Sequence, residues 1–265
     1  MKPAAEHLSA EIDTTTPNIA RVYGYLLGSK DNYAADRAVG DELLRLMPDA
    51  ADIAKANRHF LGRAVHYLTG EAGVDQIIDL GAGLPTKDNT HEFAHRTNPA
   101  ARVVYVDNDP VVLTHARALM DTAERTCVIT ADLRDPAAII RHPDTHALID
   151  FTRPVAVVFA AVLHFVPGDE AAQIIGEWRK AMAPGSYLVI SHAEDREELA
   201  GAADLYRQRL STGTPRSQQE IAGLFAGLDL ITPGLVPLPL WRPETSLLPV
   251  GAEKMPMLAG IGRRP

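Results

Sequence analysis

Cysteine is almost absent from this 265-residue chain, with Cys127 its single example. No intrachain disulfide can form, which excludes a disulfide-stapled secreted fold. Its place in an apolar strand pattern predicts a buried, inert thiol. No apolar run approaches the length that crosses a bilayer. Residues Met1 to Asp13 lack a continuous apolar stretch and carry Glu6, Glu11 and Asp13, unlike a secretory leader, so the cytoplasm is the expected compartment. Positive charge is also in short supply: 26 Lys and Arg against 34 Asp and Glu leave a net charge of −8. That balance argues against a nucleic-acid partner, since a phosphate backbone calls for a basic face. There is no internal repeat and no low-complexity tract. A hydrophobic content of 46% describes an ordinary soluble globular protein with one sizeable core and decorations. Nothing in the pattern specifies an oligomeric state.

What is present is a strand that runs into a glycine turn: Ile77-Ile78-Asp79-Leu80-Gly81-Ala82-Gly83. Two glycines spaced by one let the backbone turn sharply at a strand's carboxyl end and let a ligand approach the main chain. The next apolar strand, Arg102 to Val106, ends in Asp107, and a third, Thr126 to Thr130, delivers Asp132 and Leu133. An acidic side chain where Asp107 stands accepts hydrogen bonds from the two hydroxyls of a ribose.

Charge narrows the ligand. The dinucleotide fingerprint needs a third glycine where this chain has Thr86, and it seats a pyrophosphate at a helix N-terminus. With Asp79, Asp107 and Asp132 at successive strand ends, a phosphate would meet repulsion. S-adenosylmethionine fits better, because it has ribose and adenine without phosphate and carries a sulfonium and an ammonium that suit carboxylates.

Four motifs, Asp79-Leu80-Gly81-Ala82-Gly83-Leu84-Pro85-Thr86, Val104-Tyr105-Val106-Asp107-Asn108-Asp109-Pro110, Ala131-Asp132-Leu133-Arg134-Asp135-Pro136 and Val162-Leu163-His164-Phe165-Val166-Pro167, resemble a bacterial family of S-adenosylmethionine-dependent methyltransferases whose acceptors are mostly unknown. Pro17 to Tyr23, Leu26 to Tyr33 and the ending Leu258 to Pro265 extend the resemblance over nearly the whole chain. It implies a Rossmann-like class I methyltransferase fold of the α/β class: a mostly parallel sheet of seven strands, the last inserted antiparallel beside strand five. It also implies a helical cap over residues 1–70 and a cofactor-binding core over 71–265. On the cofactor side the resemblance places Asp79, Gly81, Ala82, Gly83, Thr86, Asp107, Asn108, Asp132, Leu133 and Ala161, with Tyr33 and Arg58 from the cap. The resemblance does not imply a substrate; Tyr23 and Tyr25, in the lid it implies, and His192 and Trp241, by position in the chain, are the candidates on the side of a small-molecule acceptor, with His164 the candidate catalytic residue.

Periodicity orders the rest. Residues 1–16 have the composition of a frayed end, and Pro17 to Leu68 reads as helical. Leu61, Ala64, Val65 and Leu68 recur on one face. Pro110 suits the start of a helix after strand two. Val155 to Ala160 is a continuous apolar run of the kind buried on both faces, followed by a helix from Glu170 to Met182 and a fifth strand from Tyr187 to Ile190. A helix over 195–210, a capping box at Ser217 and Glu220, a sixth strand over 228–231 and a last strand over 257–261 complete the pattern.

Several residues carry two readings. His164 stands just past strand four, where it either accepts a proton from the acceptor or orients the cofactor. Tyr23, Tyr25 and Tyr33 line a lid or simply pack helices. Arg58 pairs with the methionine carboxylate or is a solvated helical arginine. Trp241 borders the acceptor or walls the core. His91-Glu92-Phe93-Ala94-His95 matches the HExxH pattern of zinc peptidases, yet it follows the glycine turn directly and lacks the further histidine of the extended motif, so a polar helix face is the expectation. A methyltransferase without metal is therefore expected, against the alternatives of a cofactor-binding protein without transferase activity and a zinc hydrolase.

Overall fold

The computed structural model describes residues 13–85, 88–112, 114 and 125–265. Thr86 lies outside them, as do residues 1–12 and most of the helix expected from Pro110.

Three helices come first: α1 Ile19–Leu26, α2 Ala34–Leu46 and α3 Ala50–His66. Strand and helix then alternate through β1 Gln76–Leu80, α4 Thr90–Thr97, β2 Arg102–Asp107, β3 Thr126–Thr130, α5 Pro136–Arg141, α6 Pro143–Leu148, β4 Ala156–Ala160, α7 Glu170–Ala181 and β5 Tyr187–Ala193. The chain closes with α8 Ala200–Leu210, α9 Gln218–Gly223, β6 Asp229–Leu230, β7 Val236–Pro237 and β8 Met257–Arg263. The sheet order is β3-β2-β1-β4-β5-β8-β6, with β7 also on β8. Strands β1 to β5 are parallel, and β8 runs antiparallel to β5. The expected seven-stranded arrangement is present, and β7 is a two-residue addition on β8.

Alternation along each strand builds a core on both faces of the sheet. Ile77, Val103 and Val158 point to one side, where Phe60, Leu61, Ala64, Val65 and Leu68 of α3 and the following turn cover them. Ile78, Val104, Val157 and Ile190 point to the other, under Ile174, Ile175 and Trp178 of α7. A third cluster joins Val22, Leu26, Val39, Leu43, Ala50 and Ala54 to Ala202 and Leu205 of α8. Helices on both sides of residue 70 thus share these cores. Cys127 is only half-buried, not fully buried as expected, because β3 is the sheet's edge; burial still pushes its thiol up to about 12.

Chain direction decides where a ligand can sit. From β1 the strands proceed one way through β2 and β3, and from β4 the other way through β5. The carboxyl ends of β1 and β4 therefore diverge, and open α/β sheets bind ligands in the crevice at such a point.

The cap is knitted by a buried ion pair, Arg21 Nε to Asp36 Oδ2 at 3.3 Å, with Asp36 fully buried. Asp36 also accepts the backbone N–H groups of Asn18 and Tyr33 at 2.9 and 2.8 Å. Arg21 donates to the carbonyls of Asp13 and Thr16 at 2.9 and 2.7 Å, so residues 13–16 are tied down where fraying was expected. Removing one partner of such a pair strands the other charge. Asp36→Ala should lose about 3–5 kcal/mol in urea unfolding; a loss under about 1 kcal/mol would mean that the pair does not organise the cap.

Candidate functional site

At the carboxyl end of β1 both glycines have a left-handed backbone, φ +69°, which disfavours a side chain. A Cβ on Gly81 would also come within 2.4 Å of Val162 Cγ2, whereas one on Gly83 would meet nothing within 4 Å. The turn is packed tightly from beneath at Gly81 and opens on free space at Gly83. Its shape is held by Asp107, whose Oδ2 accepts the Gly83 N–H at 2.8 Å and whose Oδ1 accepts the Asp109 N–H at 2.9 Å. Further lone pairs on this carboxylate remain for a ligand.

The three carboxylates expected at the strand ends are electrostatically distinct. Asp79 is buried, accepts a hydrogen bond from Thr90 Oγ1 at 2.5 Å, and has no ion pair among the described residues. Burial outweighs the Thr90 hydrogen bond and the nearby Arg58 charge, and raises its pKa to about 6. Burial also raises that of Asp107, against the backbone hydrogen bonds it accepts. Asp132 is more open and accepts bonds from Arg134 Nε at 3.0 and 2.9 Å, which lower its pKa.

A cavity of about 430 Å³ runs over these strand ends, a size suited to a small-molecule ligand. Asp79, Gly81, Ala82, Gly83, Asp107, Asn108, Asp132, Leu133, Ala161, Tyr23 and Arg58 all line it, so most of the cofactor-side residues read from sequence meet in one place. Arg58 reaches the rim while donating to the Asp88 carbonyl at 2.6 Å. A second cavity, of about 110 Å³, lies between the cap, α8 and the ends of β4 and β5, and His164 lines it. Tyr23, Ala161 and Phe165 border both.

Four expected residues stand elsewhere. Tyr25 packs on Gly40 and donates to Asp41 Oδ1 at 2.6 Å, because it faces α2 rather than the sheet. Tyr33 caps α2 with its ring 5.1 Å from the Arg21 guanidinium, held to the ion pair of the cap. Trp241 is fully buried against Phe60 and Tyr67, with ring centroids 5.5 and 6.0 Å away; it walls the core and borders neither cavity. His192 is buried behind the wall, where Arg216 Nη1 donates to its Nε2 at 2.8 Å. Its Nδ1 therefore carries the proton and donates to the Ala193 carbonyl at 2.8 Å. Burial outweighs that hydrogen bond and, with Arg216 adding to it, lowers the ring's pKa to about 4.

His164 sits on the turn after β4, and its Nδ1 accepts the Ala193 N–H at 3.4 Å. A neutral ring bonded this way carries its proton on Nε2. Burial, with His192 and Arg216 nearby, holds its pKa well below the usual 6.5. It meets the cavity with an N–H donor, and the basic lone pair that a proton acceptor needs faces the backbone instead. The HExxH histidines are likewise engaged: His91 Nδ1 with the Tyr105 hydroxyl at 2.8 Å and His95 Nε2 with the Ala101 carbonyl at 3.0 Å. No cluster able to hold a metal occurs among the described residues.

Two groups escaped the sequence reading. Ser191 Oγ donates to Asn57 Oδ1 at 2.6 Å and accepts the Ala161 N–H at 2.8 Å, while Asn57 Nδ2 donates to the Tyr23 hydroxyl at 3.0 Å. This chain of bonds joins the cap to both cavities. Arg216 donates to the carbonyls of Leu163, Val166 and Gly168 at 2.8 to 2.9 Å, fixing the turn that carries His164. Neither has a local signature, since each partner lies far away in sequence.

The Asp79 shift has a pH signature. Its folded pKa of about 6 lies above the ordinary 3.8, so the folded state holds this proton longer. The stability it contributes is complete below pH 3.8 and is lost as pH rises through about 6. Asp79→Asn should remove that slope from urea midpoints measured between pH 4 and about 7; an unchanged slope would assign it to other groups.

Comparison with known proteins agrees with this geometry. A family model described as S-adenosyl methyltransferase matches residues 5–265. A solved protein from Thermobifida fusca, named provisionally as a methyltransferase, is 44% identical with a TM-score of 0.92, over 95% of this chain and 96% of its own. A duf574 family protein from Streptomyces avermitilis is 36% identical with a TM-score of 0.90, over 96% and 99%. A Mycobacterium bovis protein, named provisionally as an S-adenosyl-L-methionine-dependent methyltransferase, is 32% identical over 164 residues, 57% of this chain. The match spans 48% of that relative, so the chain spans about half the length of the curated relatives it matches. With residues 5–265 matched by the family model and the fold of the Thermobifida fusca protein shared over 95% of its length, the chain belongs to the S-adenosyl methyltransferase family.

Proposed function

We propose that this chain transfers the methyl group of S-adenosylmethionine to an oxygen or nitrogen of a small-molecule acceptor, as a cytoplasmic enzyme. The observation that carries the reading is the meeting of two unlike cavities at Ala161, Tyr23 and Phe165. One is rich in carboxylates and glycine backbone, the other apolar, as a cationic donor and a separate acceptor require.

The residues suit the cofactor. Gly83 opens on free space, and Asp79 is a buried carboxylate without an ion-pair partner among the described residues, ready for an ammonium. Asp107 would take the ribose hydroxyls, Arg58 the methionine carboxylate, and Asn108, Asp132 and Leu133 the far end. When bound, S-adenosylmethionine would supply an electrophilic methyl for an acceptor lone pair, with the carbon–sulfur electron pair returning to sulfur and the acceptor's proton released to bulk solvent as product leaves. The chain's own part is positioning and exclusion of water, for which α1 and α3 cover the cavity from the cap side.

Calorimetry should show binding of S-adenosylmethionine and S-adenosylhomocysteine and little of NAD; a preference for NAD would overturn the reading. Asp107→Ala should weaken cofactor binding by about 1.5–3 kcal/mol, the range for a hydrogen bond to a charged group. Unchanged affinity in a folded variant would remove Asp107 from the site. Turnover with no cofactor consumed would contradict transferase activity.

A further inference from the structure

The acceptor-side cavity has a definite chemistry. Among its described lining residues there is no Asp, Glu, Lys or Arg. A charged acceptor would shed its hydration there with no opposite charge to meet. Its volume of about 110 Å³, at roughly 10–15 Å³ for each water-sized unit, has room for about seven to eleven such units, the scale of one substituted ring.

One wall is aromatic. The His164 and Phe165 rings lie 4.3 Å apart and tilted, and Tyr206 lies 5.3 Å beyond Phe165. Such a wall offers ring faces and edges to a flat guest. The polar groups are few. The Tyr23 hydroxyl is already occupied, donating to the Ala54 carbonyl at 3.1 Å and accepting from Asn57. His164 is different: Nδ1 is engaged by Ala193, and Nε2 has no hydrogen-bond partner among the described residues. It is an N–H donor on a mostly apolar surface, whose remaining side-chain polar groups are the hydroxyls of Tyr206 and Thr214.

We propose that this cavity takes an uncharged, single-ring aromatic acceptor, one oxygen of which accepts a hydrogen bond from Nε2–H of His164. The proposal rests on the methyltransferase reading above and narrows it. Acceptors with a carboxylate, an ammonium or a phosphate belong to a different pocket.

The test is calorimetry on protein saturated with S-adenosylhomocysteine, titrated with three single-ring phenols of matched size: neutral 4-methoxyphenol, anionic 4-hydroxybenzoate and cationic tyramine. The neutral phenol should bind at least about tenfold more tightly than either charged one, consistent with the cost of an unpaired buried charge. His164→Leu should weaken it by about tenfold, the size of one hydrogen bond. Ala203→Leu, which fills the cavity, should abolish its binding while S-adenosylhomocysteine binds as before; if that variant does not fold, Met47→Trp at the cavity wall serves the same purpose. Equal or tighter binding of a charged phenol, or no binding of the neutral one to the saturated protein, overturns the proposal and leaves the methyltransferase reading standing. Failure of S-adenosylhomocysteine itself to bind overturns both.

Discussion

The hydroxyl of Ser191 holds the two halves of the site in register. It lies at the carboxyl end of β5, gives its proton to Asn57 of α3 and receives the N–H of Ala161. Ala161 is a non-glycine residue with φ +57°, a conformation that costs free energy and persists only where its surroundings impose it. The bond to Ser191 is part of what imposes it. On the other side Asn57 orients Tyr23. A buried network in which every member is satisfied is rigid, and this one runs from the cap through the sheet to the residue that borders both cavities. The separation between the two cavities is therefore set by backbone and short side chains, which have few ways to move.

Charge is distributed with the same economy. Asp79 and Asp107 are kept dry at the ends of β1 and β2, and the resulting rise in their pKa means that a cationic ligand gains more from them than from a solvated carboxylate. Asp132 has its neighbour Arg134 and is neutralised in place. A uniformly acidic rim would repel itself; one neutralised and two buried carboxylates instead give a graded field that is strongest at the glycine turn. Among the described residues lining the smaller cavity there is no formal charge, and its histidine, His164, is held neutral by burial, with His192 and Arg216 nearby.

Much of this was legible in the chain. Apolar runs such as Val155 to Ala160 read as buried strands because parallel strands are covered on both faces, and the glycine pair read as a ligand turn because only such residues adopt its backbone. Ten of the twelve residues assigned to the cofactor side line one cavity, and Tyr23, assigned to the acceptor side, borders both. What stayed hidden depends on contacts between distant segments. Tyr25 and Tyr33 differ from Tyr23 only in which way α1 and α2 turn them, and no local pattern distinguishes a tyrosine on a cavity from one on a helix. Trp241 followed a proline-rich stretch that read equally well as a loop; its burial is decided by Phe60 and Tyr67. Arg216 contacts residues some 50 positions away, and His164 read as either a base or a cofactor-orienting residue because its position was visible while its hydrogen bond to Ala193 was not.

The way α8 joins the N-terminal helices has a bearing on how this architecture can be rewired. Its Ala202 and Leu205 complete the cluster built by Val22, Leu43 and Ala54, and its Ala203 and Tyr206 wall the smaller cavity beside Leu26 and Met47. That cavity is thus composite, drawn from segments before β1 and after β5 and from the turn after β4 that carries Ala161, His164 and Phe165, while the glycine turn and its carboxylates come from the ends of β1 to β3. Grafting the first seventy residues of a relative onto this core would transplant only part of the lining and leave a mismatched apolar seam. Exchanging the whole lining by recombination requires crossovers on both sides of the strands that carry the glycine turn, together with the turn after β4.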